Sequence, residues 1–150
     1  MASSFFDDEG VATQDREIVT AGVLNGYFLG SYSARKLGMR STGNAGGTHN
    51  LVLEPTGESF EELLATMGTG LLLTEMLGHG LNMVTGDYSR GAAGFWVENG
   101  AIAYPVHEIT VAGNLKTMFK GIVATGSDVL VRGPRQCGSI LIDEMTVAGD

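Results

Sequence analysis

Glycine is the residue that most constrains this chain, because it accounts for 23 of the 150 residues. Globular proteins contain roughly 7% glycine on average, so this share is about twice the usual one. The glycines occur singly within apolar segments, without a Gly-X-Y period, and only three prolines accompany them. Such spacing is typical of tight turns, β-bulges and close approaches between backbones. We therefore predict a β-rich domain with short hairpins.

Composition and charge narrow the class of protein further. The chain is 43% hydrophobic and 17% charged, and its net charge is −8. Nine basic residues scattered among seventeen acidic ones do not form the basic patch that a nucleic-acid backbone selects. The first ten residues show no secretory signal, and no apolar run approaches the ~18 residues of a spanning helix. We expect a soluble, cytoplasmic protein that binds neither nucleic acid nor a membrane.

Turn and capping motifs predict the local structure. Asn25-Gly26 and Asn99-Gly100 each stand between β-prone runs, which is the pattern of a two-residue hairpin turn. Ser59 followed by Glu62 is a capping-box pattern that predicts a helix ending at Gly68. Two more short helices are predicted, at 31–37 and 115–120.

The apolar and glycine-rich segments predict the remaining strands and loops. Strands are predicted at 51–53, 70–77, 95–97, 101–104 and 108–111, and within a loosely alternating tail at 122–123, 129–131 and 139–147. Loops are predicted at 41–50 and 78–94, and residues 1–15 are predicted as a loop or a loose leading strand. Together these segments predict an α+β fold, predominantly an antiparallel β-sheet with two or three short helices. Length predicts one domain, spanning residues 1–150.

A metal site is the first chemistry that the residue types suggest. The candidate ligands are His49, His79, His107 and Cys137. His107 and Glu108 begin a zinc-protease motif, but Val111 and Ala112 stand where HExxH or HExxxH needs its second histidine. A site assembled from distant histidines stays open beside the simpler interpretation of surface or backbone-bonded histidines.

The cysteine and the glycine loops add no complete active site. Cys137 is interpreted as a small buried residue rather than a nucleophile. The glycine loops at 43–47 and 68–70 lack the lysine and hydroxyl residue of a P-loop, and no serine stands in a Gly-x-Ser-x-Gly elbow. The residues alone therefore indicate a β-rich domain whose function is open.

Several segments, in order along the chain, resemble one family, the TldD/PmbA proteins, which are also called modulators of DNA gyrase. The segments are SYSARKLG (31–38), STGNAGGTHN (41–50), TGDYSRGAAGFWVENG (85–100), YPVHEITVAGNL (104–115) and RQCGSILIDEMTVAG (135–149). The sequence GDYSRGAAGFW is more similar to the PmbA (TldE) branch than to the TldD branch. The resemblance implies that the chain corresponds to the carboxy-terminal third of a longer, cytoplasmic protein.

The resemblance also implies a function. TldD and TldE pair as a metallopeptidase whose chamber admits unfolded peptides, and TldD holds zinc with a HExxxH helix and a distal cysteine. This chain has no HExxxH segment, and that helix would fall upstream of its first residue. Cys137 is similar to the distal ligand and is interpreted as a vestigial, structural position. The chain alone is expected to be inactive, with zinc held by its catalytic partner and no cofactor of its own.

Three hypotheses remain open at this point. The parent protein is a non-catalytic subunit that pairs with a TldD-like protein, or is itself a zinc metallopeptidase, or is a regulator associated with gyrase. Association is expected in each case, with itself or with the partner. Few lysines and prolines protect the sheet edges, so we expect contact through these edges or through the Phe95-Trp96 hairpin.

Overall fold

A computed structural model describes residues 3–149, which contain three helices and ten strands. The helices are α1 (Ser31–Lys36), α2 (Phe60–Met67) and α3 (Leu115–Lys120). The strands are β1 (Val19–Thr20), β2 (Val23–Leu24), β3 (Leu51–Val52), β4 (Gly70–Leu77), β5 (Asp87–Glu98), β6 (Ala101–Asn114), β7 (Ile122–Thr125), β8 (Arg135–Gln136), β9 (Ile140–Ile142) and β10 (Thr146–Ala148). The described strands pair antiparallel, except β3 with β8, which confirms the predicted α+β class.

The described residues form two compact units. Unit 1 comprises residues 3–52 and 131–136, and unit 2 comprises residues 53–130 and 137–149. That residues 1–150 form a single domain stays a prediction. None of the three described helices is long and apolar enough to cross a membrane.

Unit 2 is built on a four-stranded sheet with the order β10-β6-β5-β4. Ala92 on β5, with Ile109 and Val111 on β6, forms its buried apolar cluster. The half-buried side chains packed on this cluster are Leu71, Leu73, Met76, Tyr88, Val106 and Met145. Burial of apolar surface stabilises the folded state by about 25 cal/mol per Å², so this cluster on the sheet is the main hydrophobic core of the unit.

Strand β5 corrects the prediction of a loop that reaches Gly94. The strand begins at Asp87 and pairs with β4 on one side and β6 on the other. Gly94 lies opposite β4 so closely that a Cβ atom there would overlap the carbonyl oxygen of Leu72. The glycine therefore permits a close approach between two strands, and does not mark a turn.

The turn between β5 and β6 confirms the second predicted hairpin. Asn99 and Gly100 have φ angles of 52° and 75°, the positive values that a type I′ turn requires. The turn joins Glu98 directly to its partner Ala101. The Gly100 N–H also donates to the carbonyl of Gly68 at 2.7 Å, which ties the tip of the hairpin to the end of α2.

Helices α2 and α3 begin where their capping residues predicted. Ser59 Oγ accepts from the Glu62 N–H, while the Glu62 carboxylate accepts from the Ser59 N–H, so the capping box of α2 is complete. The Asn114 side chain accepts from the Lys116 N–H at 3.1 Å and caps α3. Helix α1 begins at Ser31 without a side-chain cap.

The first hairpin lies in unit 1, and its turn is not where it was predicted. The chain reverses at Ala21 and Gly22, whose φ angles are 49° and 78°, between β1 and β2. Asn25 follows β2, and its N–H donates to the carbonyl of Ile18 at 2.8 Å, which continues the pairing. The prediction of a turn at Asn25-Gly26 is therefore wrong, because the register of β1 against β2 leaves this dipeptide beyond the hairpin.

The remaining strands are short. Unit 1 contains the parallel pair β3 and β8, supported by the Leu51 N–H donating to the Pro134 carbonyl at 2.7 Å. In unit 2, β7 pairs with β9. Of the strands predicted in the tail, 122–123 lies in β7 and 139–147 covers β9 and the start of β10, whereas residues 129–131 lie outside the strands.

Candidate functional site

The structure assembles no ligand cluster from the four residues that the sequence singled out. His49 belongs to unit 1, whereas His79, His107 and Cys137 belong to unit 2. Those three are exposed, and His49 is half-buried. Among residues 3–149, no group of three or more His, Cys, Asp or Glu side chains is placed to hold a metal ion.

His107 lies in a β-bulge of β6. Between two regular pairs of the ladder, His107 and Glu108 together stand opposite the single residue Ala93 of β5. Glu108 has a φ of 57°, which is uncommon for a residue with a side chain. The segment is extended, as its β-branched residues predicted, and it does not form the helix on which a HExxxH motif operates.

His79 lines an open cleft of about 590 Å³ beside the loop that precedes β5. The carboxylate of Asp87 in this cleft accepts from Thr85 Oγ1 at 2.6 Å and from Asn114 Nδ2 at 3.0 Å. The hydroxyl and the amide favour the charged form and hold the pKa of Asp87 below its ordinary value. Asp87 therefore holds the loop in place and is not a free general base.

Cys137 is free and exposed, so its interpretation as a buried residue is wrong. The backbone that follows it is anchored. The Ser139 N–H donates to Asp128 Oδ1 at 2.9 Å, and Ser139 Oγ donates to Asp128 Oδ2 at 2.7 Å. A side chain at Gly138 would overlap the carbonyl oxygen of Gly126. The chain is thus fixed beside Cys137 while the thiol faces solvent.

The charge of Asp128 is part of this anchor. The Ser139 N–H, and then its hydroxyl, lower the pKa of the Asp128 carboxyl below its ordinary value, against a small opposing effect of burial. The group is therefore an anion at neutral pH, when it accepts both bonds. We call residues 137–139, held by Asp128, the Cys137 loop.

Two threonines distant in sequence anchor the neighbouring end of β7. Thr125 is 3% exposed, and its hydroxyl donates to the carbonyl of Glu54 at 2.8 Å. Thr56 and Thr125 exchange further bonds, including the Thr56 N–H to the Thr125 carbonyl at 2.9 Å. Sequence reasoning missed this pair, because 69 positions separate the two residues and no local motif links them.

The chemistry available at the Cys137 loop is that of one thiol. A structural zinc site has four ligands, and a catalytic one has about three protein ligands with an open position. Among residues 3–149, no group of three or more possible ligands includes Cys137. The loop therefore presents a positioned sulfur, and the part of the chain that the structure describes completes no metal centre around it.

Unit 1 contains a second polar arrangement, centred on Asp7. Asp7 is 4% exposed, and its carboxylate accepts from the N–H groups of Glu9, Val11 and Ala45. Burial raises the pKa of this carboxyl, but the three N–H donors and nearby His49 lower it more, so its pKa lies below the ordinary value. The prediction of a polar loop or loose leading strand at 1–15 missed this buried carboxylate.

The glycine-rich segment 41–50 folds as a loop, as predicted, and encloses polar contacts. The ring of His49 donates from Nε2 to the carbonyl of Gly43 at 3.2 Å, and its backbone has a φ of 54°. Arg16 donates to the Tyr27 carbonyl at 2.7 Å and to Asn44 Oδ1 at 3.0 Å. His49 therefore holds its own loop, which is the simpler of the two interpretations left open by the sequence.

Comparison with known proteins identifies the family of this fold. A family model described as "PmbA/TldA metallopeptidase C-terminal domain" matches residues 1–149. The chain belongs to this PmbA/TldD family, as its sequence segments predicted.

The relatives divide between the two branches. The chain is 58% identical to the "Metalloprotease PmbA" of Escherichia coli O157:H7 over 99% of the chain and 33% of that protein. It is 26% identical to the "Metalloprotease TldD homolog" of Haemophilus influenzae over 95% of the chain and 35% of that protein. The higher identity confirms the resemblance to the PmbA branch. The chain spans about a third of the length of these relatives.

Solved structures show the same fold. A Thermotoga maritima protein named for modulation of a DNA gyrase superposes with a TM-score of 0.90 at 41% identity, over 98% of this chain and 36% of that chain. TldE from Thermococcus kodakarensis gives a TM-score of 0.84 at 23% identity, over 97% and 36% of the two chains, and supports the fold alone.

Proposed function

We propose that this chain is the carboxy-terminal part of a PmbA/TldE-like subunit. The subunit pairs with a TldD-like zinc metallopeptidase, and together they enclose a chamber that trims or degrades unfolded peptides in the cytoplasm. The observation that carries the proposal is the 58% identity to a PmbA protein across 99% of the chain, against 26% to a TldD homologue. The zinc belongs to the partner.

The arrangement at Cys137 supports a non-catalytic role for this part of the protein. Peptide hydrolysis on zinc needs a metal held by several ligands, an open position and a general base. The Cys137 loop supplies one exposed thiol, and the candidate base Asp87 is engaged by Thr85 and Asn114. The chain in this proposal therefore provides chamber wall and subunit contact while the partner provides the chemistry.

The test uses the whole parent protein with and without a TldD-like partner. We expect the two to co-purify, and the pair to cleave an unfolded peptide in a chelator-sensitive reaction. The parent alone, freed of metal and supplied with zinc, is expected to retain no stoichiometric zinc and to cleave nothing. Cleavage by the parent alone, or failure of the two proteins to associate, would refute the pairing.

A second candidate function is that the parent is itself a zinc metallopeptidase. The names of its relatives favour this reading, because the similar proteins are called metalloproteases. A HExxxH segment upstream in the parent, with zinc bound at one equivalent and activity in the absence of a partner, would decide for it. The gyrase-regulator hypothesis rests on the name of the Thermotoga protein, and a supercoiling assay with purified gyrase tests it.

A further inference from the structure

The chain contains the dipeptide Asn-Gly twice, and the two copies lie in different backbone environments. Asn99-Gly100 forms the turn between β5 and β6, with both φ angles positive. The Gly100 N–H donates to the Gly68 carbonyl at 2.7 Å, and its α-carbon packs so close to Ala65 that an added Cβ would lie 3.0 Å from the Ala65 Cα. This copy is therefore held by a backbone hydrogen bond and by close packing against α2.

Asn25-Gly26 lies beyond the β1–β2 hairpin and is not held in a turn. The Asn25 side chain is exposed, and no residue in the described range 3–149 accepts a hydrogen bond from the Gly26 N–H. The Asn25 amide nitrogen donates to Thr20 Oγ1 at 2.6 Å, a contact on the exposed surface. Exposed side-chain contacts open at low free-energy cost, so this bond does not lock the carboxamide.

We propose that Asn25 is a modification site, where the folded chain converts asparagine to aspartate and isoaspartate without an enzyme, and that Asn99 is protected. The Gly26 backbone nitrogen gives its proton to water or hydroxide and attacks the Asn25 Cγ. A C–N bond forms, the carboxamide nitrogen leaves as ammonia after taking a proton from water, and a succinimide results. Water then opens the ring at either carbonyl. Oxidation states do not change, and water is the single co-reactant.

The difference between the two sites is in the attacking nitrogen. At Gly100 the N–H is engaged by a backbone carbonyl, so attack requires this bond to break and the turn to change its dihedral angles. At Gly26 the nitrogen is not engaged by a described acceptor, and glycine has no Cβ of its own to crowd the attack. The same dipeptide is therefore reactive in one place and inert in the other.

The product changes the chain directly after β2. Each conversion adds one carboxylate, which takes the net charge from −8 to −9. The isoaspartyl form also inserts a methylene group into the main chain, between the hairpin and the segment that leads to Leu29, which is buried at 3% exposure.

The experiment follows both sites in one sample of the whole chain. Trypsin cuts after Arg16 and Arg35, and after Arg90 and Lys116, so the sites fall in separate peptides, 17–35 and 91–116. After incubation at mildly alkaline pH, we expect peptide 17–35 to show the mass gain of deamidation and to accept methyl groups from protein isoaspartate methyltransferase. Peptide 91–116 is expected to stay unmodified.

Two controls make the result decisive. In the urea-denatured chain both peptides should react at similar rates, because the dipeptides are identical once the fold is lost. The variant Gly26→Ala should slow the reaction at Asn25 severalfold; its new Cβ would lie 3.0 Å from Arg16 Nη1, so the arginine side chain must shift slightly to accept it. Equal modification of both sites in the native chain, or none at Asn25 when the denatured chain reacts, would overturn the proposal.

Discussion

The two units of this chain are stabilised in different ways, although both are rich in glycine. In unit 2 a four-stranded sheet covers an apolar cluster, and its buried hydrophobic residues are Leu63, Leu64, Ala92, Val97, Ile109, Val111 and Ala124. Unit 1 has two buried hydrophobic residues among those described, Leu29 and Ala34. Its loops are fixed by side chains bonded to backbone, above all the Asp7 carboxylate with its three N–H donors.

The comparison shows that glycine serves two purposes here. In unit 2, Gly94 of β5 lets two strands approach closely, so its replacement is resisted by the neighbouring backbone of β4. In unit 1 the glycines let loops fold back onto polar side chains, so the loops depend on charge as well as on shape. Packing should therefore govern the stability of unit 2, and ionisation should govern that of unit 1.

Replacement of Gly94 should have the largest effect. In Gly94→Ala the new Cβ overlaps the Leu72 carbonyl, and the two strands must separate, at a cost of about 3 kcal/mol. The matched control is Gly91→Ala on the same strand, where the new Cβ meets Leu77 Cβ at 3.4 Å, an ordinary contact. Denaturant unfolding of both variants measures the difference.

We expect the free energy of unfolding of Gly91→Ala to lie within about 1 kcal/mol of that of the original chain, higher or lower. The alanine restricts the unfolded chain, which stabilises the fold, while its contact with Leu77 at 3.4 Å lies at the close end of the ordinary range. If Gly94→Ala yields no folded protein while Gly91→Ala does, the same conclusion follows. Equal stabilities for the two variants would show that close strand approach does not determine unit 2.

At Asp7 we expect the stability of unit 1 to depend on pH, while that of unit 2 does not depend on this residue. The folded-state pKa of Asp7 is below the ordinary value of 3.8, so its ionisation stabilises the folded form above that value. This stabilisation is lost as the pH falls through the lowered pKa. In Asp7→Asn, an amide nitrogen would face the Ala45 N–H, so we expect a lower Tm at neutral pH and a flatter acid dependence.

The measurement is thermal unfolding across the acid range, combined with amide hydrogen exchange at neutral pH. In Asp7→Asn, protection should fall at Val11 and Ala45 while the amides of β5 and β6 keep theirs. The matched control is Asp15→Asn, an exposed carboxylate of the same unit, which should leave protection unchanged. Loss of protection throughout the sheet would mean that the two units share one stability.

Local signals predicted the parts of the fold that local bonds determine. The capping box of Ser59 and Glu62 predicted α2, and the turn at Asn99-Gly100 was found because both residues adopt positive φ in place. The run 70–77 was predicted as a strand and is β4.

The errors occurred where partners distant in sequence decide the structure. Gly94 is in a strand because β4 lies beside it, and nothing within a few residues of Gly94 indicates that neighbour. Asn25-Gly26 has the right turn chemistry, but the register of β1 with β2 places the reversal at Ala21 and Gly22. Asp7 could not be recognised as buried, because Ala45 provides one of its donors from 38 positions away.

The site shows the same limit. Resemblance to a family singled out Cys137, and residue statistics suggested burial, whereas the thiol is exposed. The backbone beside Cys137 is held by Asp128 and Gly126. Asp128 lies 11 positions before Ser139, the residue that it binds. Neither contact is visible from the sequence around Cys137.

The smallest effect is expected at Cys137, next to a residue that should be sensitive. Because the thiol is exposed and engages no described group, Cys137→Ser should change the free energy of unfolding by less than about 0.5 kcal/mol. The adjacent variant Gly138→Ala should lower stability clearly, since its Cβ overlaps the Gly126 carbonyl. In the folded chain, the thiol should react with a disulfide reagent nearly as fast as in the denatured chain. Slow reaction in the folded chain, or a large loss of stability in Cys137→Ser, would contradict the exposed position and restore the interpretation of Cys137 as a packed structural residue.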